Sequence, residues 1–176
     1  MNKQAKLSQH LALPSEAALS HSSELDGLHL SPHFTLGELT KTNVKGINNE
    51  PPHAAVLNLR NLCENWLEIL RKSYIMFYGE GRDVPLIINS GYRSEAVNKA
   101  IGGAKGSNHL TGCAVDIHVT GMEQAIHYAS ILLDISAKYK QDFDELLIER
   151  SPKGTFWLHF AVRPKDNRRK IRFIQT

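Results

Sequence analysis

The decapeptide SNHLTGCAVD, residues 107–116, holds two side chains of metal-binding type, His109 and Asp116, seven positions apart. A further histidine, His159, lies in the apolar run FWLHF at residues 156–160. Two imidazoles and one carboxylate make three protein ligands and leave a fourth position open. Catalytic zinc sites have this ligand count, whereas structural zinc sites fill all four positions with protein side chains. The three residues therefore predict a catalytic zinc centre.

The residues after Gly112 alternate in polarity as a β-strand does. Successive side chains of a strand point to opposite faces, so Asp116 faces away from Cys113. Cys113 and the other cysteine, Cys63, form no disulfide pattern, and we expect both to be buried free thiols rather than ligands. His118 shares the face of Asp116. It contacts the metal site or the substrate, or it makes only local hydrogen bonds.

Upstream of the decapeptide, a short apolar strand at 84–89 leads into the turn SGYRS at 90–94. Gly91 permits a sharp turn, and Ser94 is a suitable cap for a helix from residue 95 to about residue 101. Arg93 is thereby held at a strand-to-helix junction. Its spacing favours an ion-pairing surface arginine over a functional residue, and both interpretations stay open.

Three further helices are predicted from capping signals and apolar spacing. Thr35 and Glu38 stand at the spacing of a capping box, so a short helix begins there. The pair Pro51-Pro52 opens a longer helix. Its apolar residues recur at helical spacing: Val56, Leu59, Leu62, Cys63, Trp66 and Leu70. A helix from residue 122 to about 139 has the expected inward residues Met122, Ile126, Ala129 and Leu133.

A hairpin of two strands, 143–149 and 156–162, is predicted to follow this helix. The pairing brings Glu149 towards His159 and makes it the best-placed carboxylate for work beside the metal. Glu149 fits equally well as a strand-end charge in solvent. If it is not the catalytic base, Glu145 or Asp144 is the next candidate.

Length and composition fit one globular domain. The chain has 176 residues, 41% of them hydrophobic, and we expect a polar, mobile lead at 1–30 followed by a single domain at 31–176. The histidines of the lead are expected to be solvated: His10, His21 and His29. The formal charge of +3 is low for a nucleic-acid binder, and the basic run at 168–170 is expected to be a solvated edge. A weak attraction to an anionic polymer such as a bacterial wall fits this charge equally well.

Several motifs together resemble the zinc D-Ala-D-Ala carboxypeptidase family, and more narrowly its short phage and prophage members. They are FTLxEL at 34–39, SGYRS at 90–94, VN at 97–98, GG at 102–103, SxHxxGxAxD at 107–116 and WxH at 157–159. The resemblance covers about residues 31–163. It implies a small α+β fold, shared with hedgehog signalling domains, in which helices pack on an antiparallel sheet that carries the metal.

The resemblance also implies roles for single residues. His109, Asp116 and His159 match the zinc ligands of the family. Arg93 matches an arginine that contacts the substrate near its scissile carbonyl. Ser107 matches a polar residue beside the first ligand that helps to hold the substrate.

The position of the catalytic base departs from part of the family. Some relatives carry the base three residues before the last histidine and others carry a second histidine two before it, but this chain has Phe156 and Trp157 there. In the short phage-type members a glutamate closes the preceding strand, and Glu149 matches that residue. The resemblance therefore assigns Glu149 as the general base.

The implied function is a zinc-dependent peptidase, similar to an endolysin, that cleaves peptidoglycan stem or cross-link peptides. The bond is of the D-Ala-D-Ala type or the L-Ala-D-Glu bond. The alternative is a non-catalytic, zinc-stabilised wall-binding or structural phage module on the same fold. The sequence shows no signal peptide and no membrane span, so we expect synthesis in the cytoplasm and action at the wall after lysis or non-classical export. We expect a monomer that binds neither nucleic acid nor membrane.

Overall fold

The computed structural model of the chain describes residues 27–176. Most of the predicted N-terminal lead, with His10 and His21, lies outside the described residues. The first strand begins at His29, two residues before the predicted domain boundary at residue 31. It places Leu30 in the core and leaves His29 exposed, as expected for that histidine.

The described part of the chain contains five α-helices and seven strands, with one π-helical and one 3-10 segment. In chain order the elements are β1 (His29–Ser31), β2 (Phe34–Thr35), α1 (Leu36–Thr40), α2 (His53–Leu62), the π-helical segment (Cys63–Leu67), α3 (Glu68–Tyr78), β3 (Ile88–Ser90), α4 (Glu95–Ala100), the 3-10 helix (Asn108–Thr111), β4 (Ala114–His118), α5 (Met122–Tyr139), β5 (Glu145–Arg150), β6 (Phe156–Ala161) and β7 (Lys170–Gln175).

Two helix starts follow the predicted capping chemistry. The Thr35 hydroxyl accepts a hydrogen bond from the backbone N–H of Glu38 at 3.2 Å and begins α1. The Ser94 hydroxyl accepts one from the backbone N–H of Val97 at 3.3 Å and begins α4. Each bond satisfies an N–H group that has no partner inside its helix, which is why these starts are legible from local sequence.

Five strands form the main sheet in the order β3-β4-β6-β5-β7. All neighbours are antiparallel except β5 and β7, which are parallel. The predicted α+β class, with helices packed on a small sheet that carries the site, is confirmed. Strand β7 was not anticipated, and it adds a parallel edge to the predicted antiparallel sheet.

Strand register places the predicted site residues on one face of the sheet. Asp116 of β4 lies directly opposite His159 of β6, and Leu147 of β5 lies opposite His159 on the other side. On the same face, Glu149 of β5 lies opposite Trp157. Because residues in register point to the same side, the pairing brings the distant His159 to Asp116.

The other face of the sheet forms the core with the helices. Trp66, in the π-helical segment, packs against Phe160 of β6 with ring centroids 4.9 Å apart and against Phe143 at 6.4 Å. The buried residues of α5 form a stripe: Ala125, Tyr128, Ile131, Leu132, Ile135 and Ser136. The expected inward position of Ile126 is wrong, since that side chain is 53% exposed. Apolar residues occupy most of this helix. Their spacing therefore predicts a helix but does not determine which of its faces is buried.

Candidate metal centre

His109 is held by the short 3-10 helix and the turns on either side of it. The Ser107 hydroxyl caps this helix by accepting the backbone N–H of His109 at 3.3 Å. Gly112 ends it with φ +69°, and a Cβ there would lie 2.4 Å from the carbonyl oxygen of Ala55. Only glycine tolerates both conditions. The close packing against α2 thus fixes where the His109 backbone lies.

The His109 ring is oriented by a backbone carbonyl. Its Nδ1 lies 2.6 Å from the carbonyl oxygen of Gly91, which can only accept, so Nδ1 is the protonated nitrogen. The free nitrogen, Nε2, lies 3.3 Å from Oδ1 of Asp116. Metal-binding histidines commonly donate their second N–H to such a carbonyl, which fixes the tautomer and the ring orientation.

Asp116 and His159 complete the group across the paired strands. Oδ1 of Asp116 lies 2.9 Å from Nδ1 of His159. The candidate ligand atoms of His109, Asp116 and His159 all lie within 4.8 Å of one another. All three side chains are buried, with residue exposures of 2%, 8% and 7%. Two imidazole nitrogens and one carboxylate oxygen form a donor set that fits catalytic zinc, which keeps its fourth position for water or substrate.

The charges of the group are strongly coupled. Burial raises the pKa of Asp116, but His109 and His159 outweigh it and hold that pKa well below its usual range. Burial lowers the pKa of His159, but the hydrogen bond to Asp116 and the contact with Glu145 outweigh it and raise that pKa to about 9. Without metal, the Asp116–His159 pair therefore keeps a proton near neutral pH. A metal that binds Nδ1 must displace this proton.

Arg93 contacts the outer oxygen of the central carboxylate. Its Nη2 donates to Oδ2 of Asp116, and its Nε donates to the Ser90 hydroxyl at 2.8 Å. Its backbone N–H donates to the His109 carbonyl at 3.1 Å. Arg93 is thus an ion-pairing residue, but its partner is the candidate ligand itself. A contact of Arg93 with substrate stays a prediction.

A glycine next to Arg93 allows this approach. A Cβ on Gly91 would lie 2.2 Å from the carbonyl oxygen of Leu39. The next residue, Tyr92, donates its backbone N–H to that same oxygen at 2.7 Å. Any side chain at Gly91 would push the turn away from α1 and move both the Arg93 side chain and the carbonyl that orients His109.

Glu149 is a half-buried carboxylate near the group. Burial raises its pKa; the charges of His159 and Arg93 act to lower it, and those of Asp116 and Glu145 act to raise it. The described part of the chain shows no hydrogen bond or ion pair from its side chain within normal length. Glu149 is therefore coupled to the site by charge, and its role as the general base stays a prediction.

The two remaining predicted site residues, Ser107 and His118, make fewer side-chain contacts than the other site residues. The Ser107 hydroxyl accepts the capping hydrogen bond and is only partly buried. His118 lies opposite Trp157 at the end of β4 and is also partly buried. No side-chain hydrogen bond of His118 occurs within residues 27–176. Their contacts with substrate stay predictions.

The basic run near the C-terminus is not a freely solvated edge. Arg168 pairs with the fully buried carboxylate of Asp144 at 2.6 Å, and Lys170 pairs with Glu145 at 3.1 Å. The close contact with His159, together with Lys170, outweighs burial and lowers the pKa of Glu145 to about 2. Asn108 donates hydrogen bonds to the carboxylates of Asp144 and Glu145, and the sequence analysis did not identify this residue either. Its only sequence signal was its place beside His109.

Comparison with known proteins agrees with this site. The sequence model of the family described as Peptidase M15 matches residues 32–143, more than half of the chain. The chain belongs to the M15 peptidases. These are zinc-dependent enzymes of the D-Ala-D-Ala carboxypeptidase type, so zinc is the cofactor of this M15 chain. The match includes Arg93, His109 and Asp116 and ends before Glu149 and His159.

A comparison with curated protein sequences gave no significant match. Within residues 27–176, no helix of this M15 peptidase is long and apolar enough to cross a membrane.

Proposed function

We propose that this M15 peptidase hydrolyses peptide bonds in bacterial peptidoglycan with zinc held by His109, Asp116 and His159. The observation that carries the proposal is the buried convergence of these three side chains beside a half-buried carboxylate, Glu149. The scissile bond is of the D-Ala-D-Ala type, another bond with a D-configured residue, or the L-Ala-D-Glu bond. Family membership supports a peptidase of cell-wall type, and the choice among these bonds is part of the proposal.

Zinc, when bound, supplies a Lewis acid that polarises the peptide carbonyl and acidifies water at the open position. Glu149 takes the proton from the attacking water and delivers it to the leaving amine. Its raised pKa favours this exchange, because a base with a pKa nearer to neutrality accepts and releases a proton more readily. Glu145 is a poor alternative base, since its lowered pKa and its ion pairs make its carboxylate a weak proton acceptor.

Arg93 donates to the carbonyl oxygen as negative charge develops there. Its Nε and Nη2 are already fixed by Ser90 and Asp116, so the guanidinium is positioned before substrate arrives. Preorganised donors of this kind stabilise a transition state by about 3 kcal/mol each. Asp116, in turn, is held by Arg93 on one oxygen while its other oxygen faces the histidines.

We propose that the stem peptide lies in a groove of about 390 Å³ beside Arg93. The lining of this groove includes Arg93 but none of the three candidate ligands. It is lined by polar and apolar side chains: Lys41, Thr42, Asn43, Val44, Asn49, Ile87, Ile88, Asn89, Ser90, Arg93, Val97 and Ile101. Ser107 and His118 are proposed to hold the substrate near the metal. The domain at 31–176 is proposed to work as a monomer, without nucleic acid or membrane, on the wall after lysis or non-classical export.

Digestion of purified peptidoglycan tests the proposal. The zinc-loaded protein should release fragments with new peptide termini, and a chelator should abolish them. Mass analysis of the termini identifies the bond. Glu149→Gln is the matched control, because it should bind zinc and release nothing. An intact wall, with zinc bound and several wall chemotypes tried, would contradict hydrolysis and favour the non-catalytic wall-binding or structural module.

A further inference from the structure

Glu145 and the C-terminal strand lie behind the metal site, on the side of His159 that faces away from Asp116. The two nitrogens of an imidazole point in different directions, and Nδ1 of His159 already lies 2.9 Å from Oδ1 of Asp116. Nε2 of His159 is buried and makes no hydrogen bond of normal length. The carboxylate oxygen Oε2 of Glu145 lies 3.5 Å from it. A buried ring N–H beside a carboxylate has an evident acceptor.

From this we infer that Glu145 is a positioning residue, which accepts the Nε2–H of His159 and so commits Nδ1 to the metal. The inference rests on the proposed zinc site and deepens it. Glu145 is not itself a ligand, because the imidazole ring separates its carboxylate from Asp116. The described cluster of mutually close ligand atoms consists of His109, Asp116 and His159.

Glu145 is fixed in place by strand β7 and its approach. Lys170 donates to Oε1 of Glu145 at 3.1 Å, and Arg168 lies 3.0 Å from the same oxygen. Lys170 is also the register partner of Glu145 in the parallel β5–β7 pair. With Oε1 occupied by these cations, Oε2 is the oxygen turned towards His159. Arg168 and Lys170 thus orient the Glu145 carboxylate.

The same carboxylate reaches the segment that carries the first histidine. Asn108, next to His109, donates from Nδ2 to Oε2 of Glu145 at 3.1 Å and to Oδ2 of Asp144 at 2.7 Å. The amide oxygen of Asn108 accepts from Nε of Arg163 at 3.0 Å. One acidic pair therefore holds both histidine-bearing segments together. The family match ends at residue 143, so this support comes from the part of the chain beyond it.

The first test is spectroscopic and needs no enzymatic turnover. Nitrogen-15 NMR of histidine-labelled, zinc-loaded protein distinguishes a protonated ring nitrogen from a metal-bound one. We expect Nε2 of His159 to carry the proton and Nδ1 to be metal-bound. The opposite assignment would overturn the inference. His109 provides the internal reference, since its Nδ1 faces the Gly91 carbonyl and must be the protonated nitrogen.

The second test is zinc affinity, measured by competition with a chelator at fixed pH. Loss of a group that supports a metal ligand lowers affinity about 10–100-fold, and we expect this for Glu145→Ala. Glu145→Gln keeps an acceptor oxygen and should recover most of the loss. Lys170→Met keeps the Glu145 carboxylate but removes its ion pair with Lys170. Its zinc affinity should fall between those of Glu145→Ala and Glu145→Gln. Asp134→Ala is the matched control, because Asp134 is an exposed carboxylate on α5 away from the candidate ligands, and this variant should bind zinc like the wild type.

Equal zinc affinity of Glu145→Ala and Asp134→Ala would refute the positioning role. If Glu145→Ala does not fold, the Gln and Met variants together with the NMR assignment decide the matter. A failure of the proposed function appears elsewhere, as wild-type protein that binds zinc tightly but leaves peptidoglycan intact. The two ideas therefore fail through different measurements.

Discussion

Replacing Asp116 by asparagine should remove the charge at the centre of the site while nearly preserving the shape of the side chain. In the metal-free protein, this carboxylate contacts Arg93 through one oxygen and both His109 and His159 through the other. The side chain is almost fully buried, so water cannot replace the lost partner. Removing one member of a buried charge pair leaves the other without compensation, which is strongly destabilising.

The size of the effect follows from the pKa of His159. Contacts in the folded protein raise it from 6.5 to about 9. At ~1.4 kcal/mol per unit, protonated His159 contributes at most ~3 kcal/mol to the free energy of unfolding. Glu145 and Glu149 supply part of this stabilisation of His159, so Asp116 alone accounts for less than the whole. Asp116 also pairs with Arg93, and the substitution removes that interaction too. We therefore expect Asp116→Asn to lose ~3 kcal/mol at about pH 6, near the lower end for a broken buried pair.

The loss should depend on pH in a defined direction. Because the folded pKa of His159 is raised, its stabilising contribution is complete below about pH 6.5 and is lost as the pH rises through about 9. The deficit of Asp116→Asn should therefore be larger at about pH 6 than at about pH 10, where the neutral His159 no longer needs a counter-charge. The part due to Arg93 persists at both values, because arginine stays charged.

Urea denaturation of chelator-treated protein at the two pH values measures this difference, and native mass spectrometry measures bound zinc. Asp134→Asn is the matched control, because Asp134 is exposed on α5. It should match the wild type in both assays. A deficit that is equal or larger at the higher pH would refute the electrostatic reasoning. One tightly bound zinc in Asp116→Asn would remove this residue from the ligand set.

Three further substitutions have distinct expected outcomes. Glu149→Gln should retain zinc and lose turnover by about 10²–10⁴-fold in the peptidoglycan assay, and unchanged turnover would place the base elsewhere. Cys113→Ser should leave zinc content unchanged, because this buried thiol lies outside the candidate ligand group; a large loss of zinc would contradict that placement. Gly112→Ala forces a Cβ to 2.4 Å from the Ala55 carbonyl at positive φ, and it should cost about 1–3 kcal/mol and weaken zinc binding by moving His109. Unfolding and chelator titrations of that variant would contradict the steric reasoning if both matched the wild type.

Local chemistry explains which features could be predicted from the sequence. The caps at Thr35 and Ser94 depend on residues three positions away, and both were predicted correctly. The alternation after Gly112 placed Asp116 on a different face from the buried Val115, as the register confirms. Each of these signals is complete within a few residues, so no knowledge of distant contacts was required.

The features that sequence analysis missed depend on contacts between distant segments. Strand β7 alternates weakly in burial and pairs in parallel with β5, a partner that its own residues do not specify. The pairing of Arg168 and Lys170 with acidic residues follows from this strand, so the same residues looked like a solvated basic edge. The roles of Asn108 and Glu145 become visible only when both histidine-bearing segments are in place.

Packing on the core face of the sheet also fixes the strand register that brings the candidate ligands together. His159 reaches Asp116 only in one register, because a slip of one residue between β6 and β4 would turn it to the opposite face. The neighbouring Phe160 points into the core, where it packs against Trp66 at 4.9 Å and Phe143 at 5.8 Å. A slip would bring this aromatic side chain out of the core and put a histidine in its place. The aromatic packing thus makes the wrong register costly, and the third candidate ligand is positioned by hydrophobic contacts on the far side of its own strand.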